Sequence, residues 1–495
     1  MRGRDTWVLL ATIVGSSLAF IDGQVVTLAL PAIQRDFHAS AGNVAWIIEL
    51  YTLVLGSLML LGGALADRYG RKLAFVSGVI VFTLASIGCA FAWSIPSMLI
   101  ARVVQALGGM LFVPASLAIL GDHFTGDARG RAIGIWSAFS ALTSTLGPAL
   151  GGVLIDALGW RSVFWVNVPL AALVVYAALR HIGESRDENA PRELDWLGAA
   201  LSTFGFGGIT YALILSSSAG WTVAVSGSML AGVALLAYFV LHEHRTPQPL
   251  VPPNIFRSRT FAVINLSTLF LYGALGAMFY EMPFVMIQAH GYNALETAFA
   301  MLPLGICIIV LSRFAPILAQ RMGTRTVLTV GPTIITAGYL LLALLEPAPT
   351  YWLAFLPGIF VTGVGMGITV APLTTTVVNA VNPEHMGTAS GINNAVSRIA
   401  GLLAIAACTV LLAGIYHASI TRSLDAMHAS PAARAAVSAQ RDRLGGAHFA
   451  VPALQRASIN AFQNGYRGVA AACALLAALA ALADALGIEE AKLRG

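Results

Sequence analysis

Charged residues are scarce in this sequence. Asp, Glu, Lys and Arg make up 10% of the 495 residues, hydrophobic residues make up 57%, and the mean hydropathy is +0.79. A soluble domain has about 25% charged residues, and water does not solvate so apolar a surface. The composition therefore excludes a soluble globular protein and indicates that lipid surrounds most of the chain.

Lysine and the motifs that depend on it are almost absent. Lys72 and Lys492 are the two lysines, and no G-x-x-x-x-G-K-[ST] motif occurs, which excludes ATP-driven transport by this chain alone. The sequence also lacks H-E-x-x-H and G-x-S-x-G. We therefore predict that the protein is not an enzyme and uses no cofactor. Its basic residues do not cluster on one face or tail, which argues against nucleic-acid binding.

Cysteine is rare as well. All four cysteines lie inside apolar segments without the spacing of metal ligands: Cys89, Cys307, Cys408 and Cys473. Buried packing thiols are the favoured interpretation, and no metal site is predicted.

Long apolar stretches are abundant. Stretches of roughly 20 residues recur along the whole chain, and this is the length that a helix needs to cross a bilayer. A barrel would show alternating segments of ~10 residues instead. We therefore predict an all-α polytopic membrane protein with 14 transmembrane helices. The approximate spans are 7–33, 43–65, 73–92, 96–120, 130–155, 162–180, 196–215, 223–241, 261–288, 293–312, 326–346, 351–375, 387–415 and 465–486.

The first span resembles a signal peptide at its start. Arg2 and Arg4 precede an apolar run that begins at Trp7. The run is too long for a signal peptide and lacks a clear A-x-A cleavage site. We therefore assign it as the first membrane helix.

The distribution of Lys and Arg predicts the topology. With both termini in the cytoplasm, most basic residues fall into inner connections, as the positive-inside rule requires. The short outer connections carry only Arg35 and Arg161, and the other outer basic residues lie in or beside the long loop 416–464. The inner connection 382–385 has no Lys or Arg and argues against this assignment, but the overall bias favours it.

The chain contains an internal repeat. The segment 63–72 recurs as 316–325, with Leu, Ala, Arg and Gly matched at four places. The segment 130–140 recurs as 387–397 at nearly the same offset. The repeat unit is therefore six helices. Paired six-helix halves related by an axis along the membrane normal are a transporter architecture, and substrate is expected near the midplane between the halves.

The repeat predicts the domain organisation. We expect an N-terminal six-helix bundle at 1–182, an inserted pair of transmembrane helices at 195–242 and a C-terminal six-helix bundle at 260–488. The C-terminal bundle includes the extracytoplasmic loop 416–464, which is Ala-rich with scattered Arg. This loop holds either a short amphipathic helix or a solvated connection, and the solvated connection is favoured.

Charged residues inside the spans are candidates for function, because a central Arg or Asp costs ~2.5–3.5 kcal/mol on insertion scales and needs a partner or a wet cavity. Asp22 lies deep in the first span, and we predict that it faces the cavity and takes up and releases a proton. The alternative is a fixed salt bridge, with Arg102 as its partner. Arg102 and Gln105 lie one turn apart and share a face of the fourth span, for which a cavity or relay role is predicted.

Other polar residues are assigned to a substrate cavity. Glu49 and Glu281 lie within the second and ninth spans, where each could bind a cationic substrate or a second proton. The alternative for Glu49 is a position near the surface, since it is only a few residues inside its span. Arg398 lies in the thirteenth span, where packing or hydrogen bonding explains it equally well. We assign these three residues to the cavity together with Gln24 and Gln105.

The fifth span contains a patch of small residues around Pro148, at residues 147–152. Small residues let helices approach closely, and proline removes a backbone hydrogen bond and kinks the helix. Ordinary packing of membrane helices is the alternative interpretation.

Several of these segments resemble the major facilitator superfamily, in its fourteen-helix drug:proton antiporter branch. Gly63–Lys72 resembles the signature loop between the second and third helices of the family, and the weaker copy at 316–325 supports the match. Three further segments resemble the first-helix, fourth-helix and fifth-helix motifs, in that order: Ile21–Pro31, Arg102–Gln105, and Gly134 with Gly147–Gly152. The resemblance spans the entire chain, including the extra pair 196–241.

The resemblance implies roles for particular residues. It implies that Asp22 and Arg102 handle the proton. It implies an inner gate at Gly63, Asp67, Arg68, Gly70 and Arg71, and an antiporter helix shaped by Gly147, Pro148, Gly151 and Gly152. The sequence departs from the pattern at Gln24 and Thr27, where the branch usually has a hydroxyl residue and Asn, and at Thr143, where a Gly is expected.

The leading hypothesis is a secondary active transporter that exports small amphipathic or hydrophobic compounds in exchange for protons, by alternating access. Transport of another solute, such as a metabolite, lipid or siderophore, is a second hypothesis. A non-transporting membrane receptor is a third, and the lack of a soluble domain argues against it. We expect a monomer in the cytoplasmic (inner) membrane whose partners are the small-molecule substrate, protons and the lipid bilayer. A periplasmic adaptor is left open, because exporters of this kind sometimes use one.

Overall fold

The computed structural model describes residues 3–124, 126–186, 194–247, 249–345, 350–381 and 386–489. The inner connection 382–385 lies outside the described residues. The α-helices are α1 (Gly3–Asp36), α2 (Ala41–Tyr69), α3 (Arg71–Ala90), α4 (Ile95–His123), α5 (Gly126–Leu158), α6 (Ser162–Trp165), α7 (Asn167–His181), α8 (Trp196–Ala219), α9 (Val223–Glu243), α10 (Arg259–Phe284), α11 (Ala294–Ser312), α12 (Ala315–Met322), α13 (Thr324–Leu345), α14 (Tyr351–Ala354), α15 (Leu356–Asn379), α16 (Met386–Ala426), α17 (Pro431–Ala439) and α18 (Pro452–Gly487). One π-helical turn, Val285–Ala289, continues α10.

Thirteen helices within these ranges are long and apolar enough to cross a membrane. One of them, Ser162–His181, combines α6 and α7. The helix α5 has 33 residues, and its described apolar part is Gly147–Leu158. A helix of that length suffices for a fourteenth crossing. The prediction of an all-α polytopic membrane protein is confirmed, and each predicted span coincides with a helix or a pair of consecutive helices.

The segment 416–464 differs from its prediction as a solvated connection. Here α16 continues to Ala426, α17 and a 3-10 turn at Arg441–Gly446 follow, and α18 begins at Pro452. Alanine has the highest helix propensity, so an Ala-rich segment forms helix readily. The side chain of Ser430 also caps α17 by accepting a hydrogen bond from the backbone N–H of Ala433 at 3.2 Å. The favoured interpretation was therefore wrong, because most of this segment is helical.

The contacts within the chain divide it into two compact units. The first unit comprises Met1–Ala29, Trp46–Gly207 and Gly232–Pro252, and the second comprises Leu30–Ala45, Gly208–Ala231 and Pro253–Gly495. The three predicted domains remain a prediction.

In the first unit, α3 and α4 approach each other closely. Phe82 and Phe112 meet edge to face, with ring centroids 5.4 Å apart. A Cβ atom on Gly108 would lie 2.5 Å from the backbone nitrogen of Phe82. Only glycine allows helices to pack at this distance, and the contact fixes the position of α4, which carries Arg102.

In the second unit, α13 and α15 pack in a similar way. A Cβ atom on Gly358 would lie 2.8 Å from the carbonyl oxygen of Gly338. Hydrogen bonds join α16 to α10, because Nδ2 of Asn393 donates to Oδ1 of Asn265 at 3.1 Å and to Oγ1 of Thr268 at 2.8 Å. Polar side chains thus hold helices together where apolar burial alone gives little driving force in lipid.

Candidate functional site

Asp22 and Arg102 form a buried ion pair in the first unit. Nη1 of Arg102 on α4 lies 2.5 Å from Oδ2 of Asp22 on α1, and neither side chain is exposed. One turn after Arg102, Gln105 donates from Nε2 to Oδ1 of Asp22 at 2.9 Å and accepts from Nη1 of Arg102 at 2.7 Å. The three side chains form a closed hydrogen-bonded group, which we call the Asp22–Arg102–Gln105 group.

The helix α2 holds the guanidinium of Arg102 in place. Nε of Arg102 donates to the carbonyl oxygen of Ile47 at 3.0 Å, and the guanidinium carbon lies 4.0 Å from the ring centroid of Tyr51. The aromatic face attracts the cation electrostatically. Nη2 of Arg102 is buried and has no hydrogen-bond partner among the described residues. Arg102 therefore has a spare donor inside the helix bundle.

Asn167 is a member of this site that the sequence analysis missed. Its Nδ2 donates to Oγ of Ser86 at 2.9 Å and lies 3.4 Å from Oδ1 of Asp22. Asn167 is fully buried at the start of α7. Asn167 carries no charge and belongs to none of the motifs identified in the sequence, although an amide inside a predicted span was an available signal. Asn167 ties α7 to α1 and α3.

The ion pair has an energetic consequence. Removing one partner of a buried pair leaves an uncompensated charge and is strongly destabilising, by about 3–5 kcal/mol. The salt bridge that the sequence offered as the alternative for Asp22 is present, with Arg102 as its partner. Such a pair is compatible with proton exchange, because protonation of Asp22 would release Arg102 from its partner.

Glu49 is fully buried in α2. Neither of its carboxylate oxygens has a hydrogen-bond partner within the described part of the chain. Glu49 is thus buried by protein, and its depth in the membrane stays a prediction. Burial of an ionised carboxylate without a partner is strongly unfavourable, so Glu49 differs in kind from Asp22, which has a cationic partner.

Glu281 lies on α10 in the second unit and is 5% exposed. It lines a cavity of about 20 Å³ whose other polar side chains are Gln34, Tyr280, Gln288, Thr409 and Arg443. A cavity of this volume holds about one water molecule. No hydrogen bond or ion pair joins the carboxyl group of Glu281 to another described residue. Glu281 therefore has access to a small polar space inside the unit.

The remaining residues assigned to the substrate cavity lie in different places. Arg398 is half-buried on α16 in the second unit. Gln24 is half-buried on α1 in the first unit, where it packs against α5. Gln105 belongs to the Asp22–Arg102–Gln105 group. Within the first unit, Glu49 makes no hydrogen bond to that group.

The small residues of α5 pack against α1. A Cβ atom on Gly147 would lie 3.4 Å from Cβ of Gln24, and one on Gly151 would lie 2.7 Å from Cγ1 of Val25. Gly147, Pro148, Gly151 and Gly152 are all buried, and Pro148 lies inside the helix. The patch therefore sits beside the segment of α1 that carries Asp22.

The predicted inner gate contains a network of ion pairs. Nε of Arg71 lies 2.8 Å from Oδ1 of Asp67, and Nη1 of Arg71 lies 3.4 Å from Oδ1 of Asp122 at the end of α4. Arg68 lies over the ring of Tyr69 at 5.2 Å from its centroid. The sequence identified Asp67, Arg68 and Arg71 but not Asp122, because nothing in the motif points to the end of α4.

Gly70 forms the turn between α2 and α3, and Glu184 stabilises it. Gly70 has a φ of 127°, and a Cβ atom there would lie 2.7 Å from Oε1 of Glu184. The carboxylate of Glu184 accepts hydrogen bonds from the backbone N–H groups of Lys72 at 3.0 Å and Leu73 at 3.1 Å. Glu184 thus caps the N-terminus of α3 from a distant part of the chain. In the same motif, Gly63 packs against Pro114, since a Cβ atom there would lie 3.5 Å from Cβ of Pro114.

A further buried acid was missed in the sequence. Asp484 near the end of α18 is fully buried, and its Oδ2 accepts a hydrogen bond from Oγ of Ser267 at 2.8 Å. Its Oδ1 has no hydrogen-bond partner among the residues that the structure covers. Asp484 lies within the last predicted span but near its end, where a charged residue is not unusual and does not indicate a functional site.

Comparisons with known proteins identify the family. The family model described as Major Facilitator Superfamily matches residues 12–405. The multidrug resistance protein Stp of Mycobacterium tuberculosis (strain CDC 1551 / Oshkosh) is 33% identical over 438 residues, which cover 88% of this chain and 81% of that protein. The tetracenomycin C resistance and export protein of Streptomyces glaucescens is 31% identical over 420 residues, which cover 83% of this chain and 77% of that protein.

Solved structures share the fold. The crystal structure of a bacterial homologue of the human lysosomal transporter Spinster superposes with a TM-score of 0.71, covering 98% of both chains at 18% sequence identity. The helices, the motifs and these matches agree along the chain. This multi-pass membrane protein is a transporter rather than an enzyme and belongs to the Major Facilitator Superfamily.

Proposed function

We propose that this protein exports small amphipathic or hydrophobic compounds in exchange for protons, by alternating access. The observation that carries the proposal is the Asp22–Arg102–Gln105 group, in which an acid that can exchange a proton is paired with a buried cation. The names of its relatives support the substrate class, since one is a multidrug resistance protein and another is a resistance and export protein.

In this proposal Asp22 binds the transported proton. A proton on Asp22 neutralises the carboxylate and weakens its hold on Arg102. The ring of Tyr51 and the carbonyl oxygens of Gln105 and Ile47 then stabilise the cation. Release of the proton restores the pair, so that the helices α1 and α4 are held together in one protonation state and loosened in the other.

Glu49 and Glu281 are proposed as sites for a second proton or for a cationic group of the substrate. Both are buried carboxyl groups without an ion-pair partner among the described residues. Gln24 and Arg398 complete the proposed set of substrate-cavity residues. The small residues at Gly147 and Gly151 are proposed to let α5 move along α1 during exchange.

The proton gradient across the membrane supplies enough free energy for this export. A membrane potential supplies ~2.3 kcal/mol per 100 mV for each charge, and a pH difference of one unit supplies ~1.4 kcal/mol per proton. One proton at about 100 mV and one pH unit therefore sustains a gradient of several hundredfold for a neutral substrate. Export needs no nucleotide.

The proposal includes location and topology. The protein lies in the inner membrane as a monomer, with both termini in the cytoplasm. The ion pairs of Arg71 with Asp67 and Asp122 then form a gate on the cytoplasmic side. Gly63, Arg68 and Gly70 shape the same gate.

Proton flux in proteoliposomes tests the proposal. An internal pH dye is monitored while hydrophobic cations are added one at a time to wild-type protein and to Asp22→Asn. A substrate-induced pH change that is lost in Asp22→Asn supports antiport with Asp22 as the proton site. A pH change of normal size in Asp22→Asn contradicts the role of Asp22. No pH change with any compound contradicts drug export and favours transport of an anionic metabolite or a lipid.

A further inference from the structure

A cavity lined by basic side chains lies at the end of α1, entirely within the second unit. Its volume is about 300 Å³. The lining comes from two segments that are far apart in the sequence, one after the last turn of α1 and one between α17 and α18. The polar side chains of this basic cavity are Gln34, Arg35, His38, Arg443 and His448, and none of the lining residues is acidic.

Gln34 joins the two segments. Its buried side chain donates from Nε2 to the carbonyl oxygen of Arg443 at 3.3 Å, and its Oε1 accepts from Nε2 of Gln288 at 2.8 Å. Gly446 packs directly on Gln34, since a Cβ atom there would lie 3.2 Å from Oε1 of Gln34. The walls of the basic cavity are therefore fixed to each other by specific contacts.

Both segments contain strained backbone. His38 has a φ of 49° and Leu444 a φ of 51°, a region in which residues other than glycine are uncommon. Such residues cost of order 1–3 kcal/mol each and persist only where the surrounding structure holds them. The left-handed conformation of His38 closes the C-terminus of α1, and that of Leu444 turns the chain between Arg443 and His448.

No acidic side chain lines the basic cavity. Arg443 also lines the smaller cavity that contains Glu281, and no ion pair joins these two side chains among the described residues. Arg35 donates from Nε to the carbonyl oxygen of Pro31 at 3.4 Å, and the backbone carbonyl oxygen of Arg443 accepts from Nε2 of Gln34 at 3.3 Å. Asp36 and Asp442 belong to the same segments, but both are exposed and neither lines the cavity. Like charges gathered around one space repel each other, so an anion in that space would be stabilising.

The carbonyl oxygens at the C-terminus of α1 do not prevent an anion from binding in the basic cavity. The negative end of a helix comes from its last carbonyl oxygens. Here the carbonyl oxygens of Ile33, Gln34 and Arg35 accept hydrogen bonds from the backbone N–H groups of residues 37, 39 and 38, at 3.0, 3.1 and 3.3 Å respectively. These oxygens are therefore occupied.

We propose that the basic cavity binds the phosphate or carboxylate group of an amphipathic anion. Guanidinium groups bind such groups with two parallel hydrogen bonds, which favours arginine for this task. A volume of about 300 Å³ is at the lower end of the range for organic ligands and exceeds the needs of a bare inorganic ion. Two sources supply this chemistry, a soluble organic anion and the headgroup of an anionic phospholipid. The site contains none of the residues proposed for proton coupling.

Calorimetric titration of the full-length protein in a neutral detergent tests the proposal. The probes are phenyl phosphate, dihexanoyl phosphatidylglycerol and, as the zwitterionic control, dihexanoyl phosphatidylcholine. The variants are Arg443→Gln and the matched control Arg422→Gln, because Arg422 is exposed on the extension of α16 and does not line the cavity. We expect an anionic probe to bind to wild type, and Arg443→Gln to weaken binding at least tenfold while Arg422→Gln leaves it unchanged.

The probes distinguish the two sources. Binding of phosphatidylglycerol alone identifies a lipid headgroup, and binding of phenyl phosphate identifies a soluble anion. Arg443→Lys keeps the charge without the planar fork and should give an intermediate loss, and Arg35→Gln provides a second test if Arg443→Gln does not fold. Binding that persists in both Arg35→Gln and Arg443→Gln overturns the proposal, as does equal binding of phosphatidylcholine or the failure of wild type to bind either anion.

Discussion

Arg102 and Asp22 are 80 positions apart in the sequence and meet in a buried ion pair of 2.5 Å. The pair joins α4 to α1, and Gln105 binds both partners at once. Such a pair is a structural bond as well as a candidate proton site. Variants of these residues therefore need a measurement of stability beside the measurement of transport.

The first prediction separates these two effects. Asp22→Asn leaves the cation of Arg102 buried without a counter-charge, so we expect a loss of about 3–5 kcal/mol in stability together with loss of export. The double variant Asp22→Asn with Arg102→Gln has no buried charge at this site and should recover most of the stability but none of the export. Thermal unfolding in detergent and drug efflux from cells measure the two properties. Export by the double variant would show that Asp22 does not bind the transported proton.

The second prediction concerns Glu49. Because its carboxyl group has no hydrogen-bond partner among the described residues, Glu49→Gln removes no contact of this kind, and we expect stability to change by less than about 1 kcal/mol. If Glu49 carries a second proton, the number of protons exchanged per substrate falls in this variant. The dependence of the substrate gradient on membrane potential measures that number. An unchanged number excludes Glu49 from proton coupling, and Glu281→Gln is the matched variant in the second unit.

The third prediction concerns the turn between α2 and α3. Gly70→Ala should lower stability by at least about 1 kcal/mol, because a φ of 127° is unfavourable for alanine and the new methyl group meets Glu184. Glu184→Ala should cost about 1–3 kcal/mol, because it removes the acceptor of the N–H groups of Lys72 and Leu73. In the double variant the contact is relieved but the strain stays, so the sum of the two losses should exceed the measured loss. Strict additivity in thermal unfolding would contradict the contact.

The fourth prediction concerns the packing of α5 on α1. A Cβ atom at Gly151 would lie 2.7 Å from Val25, whereas one at Gly147 would lie 3.4 Å from Gln24. Gly151→Ala should therefore reduce export more strongly than Gly147→Ala, because the nearer contact forces the helices apart. Val25→Ala makes room for the new methyl group and should restore export in Gly151→Ala. Equal effects of the two glycine variants, with no rescue, would argue against close packing as the function of this patch.

The sequence was a good guide to the helices. Stretches of ~20 apolar residues predict membrane-spanning helices because the bilayer has a fixed thickness. The predicted helices are present in the structure, although some of their ends differ from the prediction by several residues. It was a poor guide to the segment 416–464, where alanine-rich helix continues beyond the apolar part of α16 and precedes that of α18. Hydropathy measures transfer into lipid and does not report helices that extend into water.

Most candidate residues of the proton site and the substrate cavity were predicted because they are charged, and only some of them lie together in the structure. Asp22, Arg102 and Gln105 come together. The sequence had offered Arg102 as a partner of Asp22 and had placed Gln105 on the same helix face as Arg102. Asn167 and Glu184 were missed, because both lie outside the recognised motifs and their hydrogen-bond partners are distant in the sequence.

The sequence by itself determined that lipid surrounds this protein, how many times the chain crosses the membrane and to which family it belongs. These properties follow from composition, from the length of apolar runs and from local motifs, respectively. Only the tertiary structure decided which buried charges have partners. Asp22 is paired with Arg102, Glu49 is not paired with any described residue, and Arg443 lies with three other basic residues around one cavity. These pairings depend on how helices distant in sequence are rotated and placed against one another. The free energy of a buried charge depends on neighbours within a few ångströms, which no single segment contains.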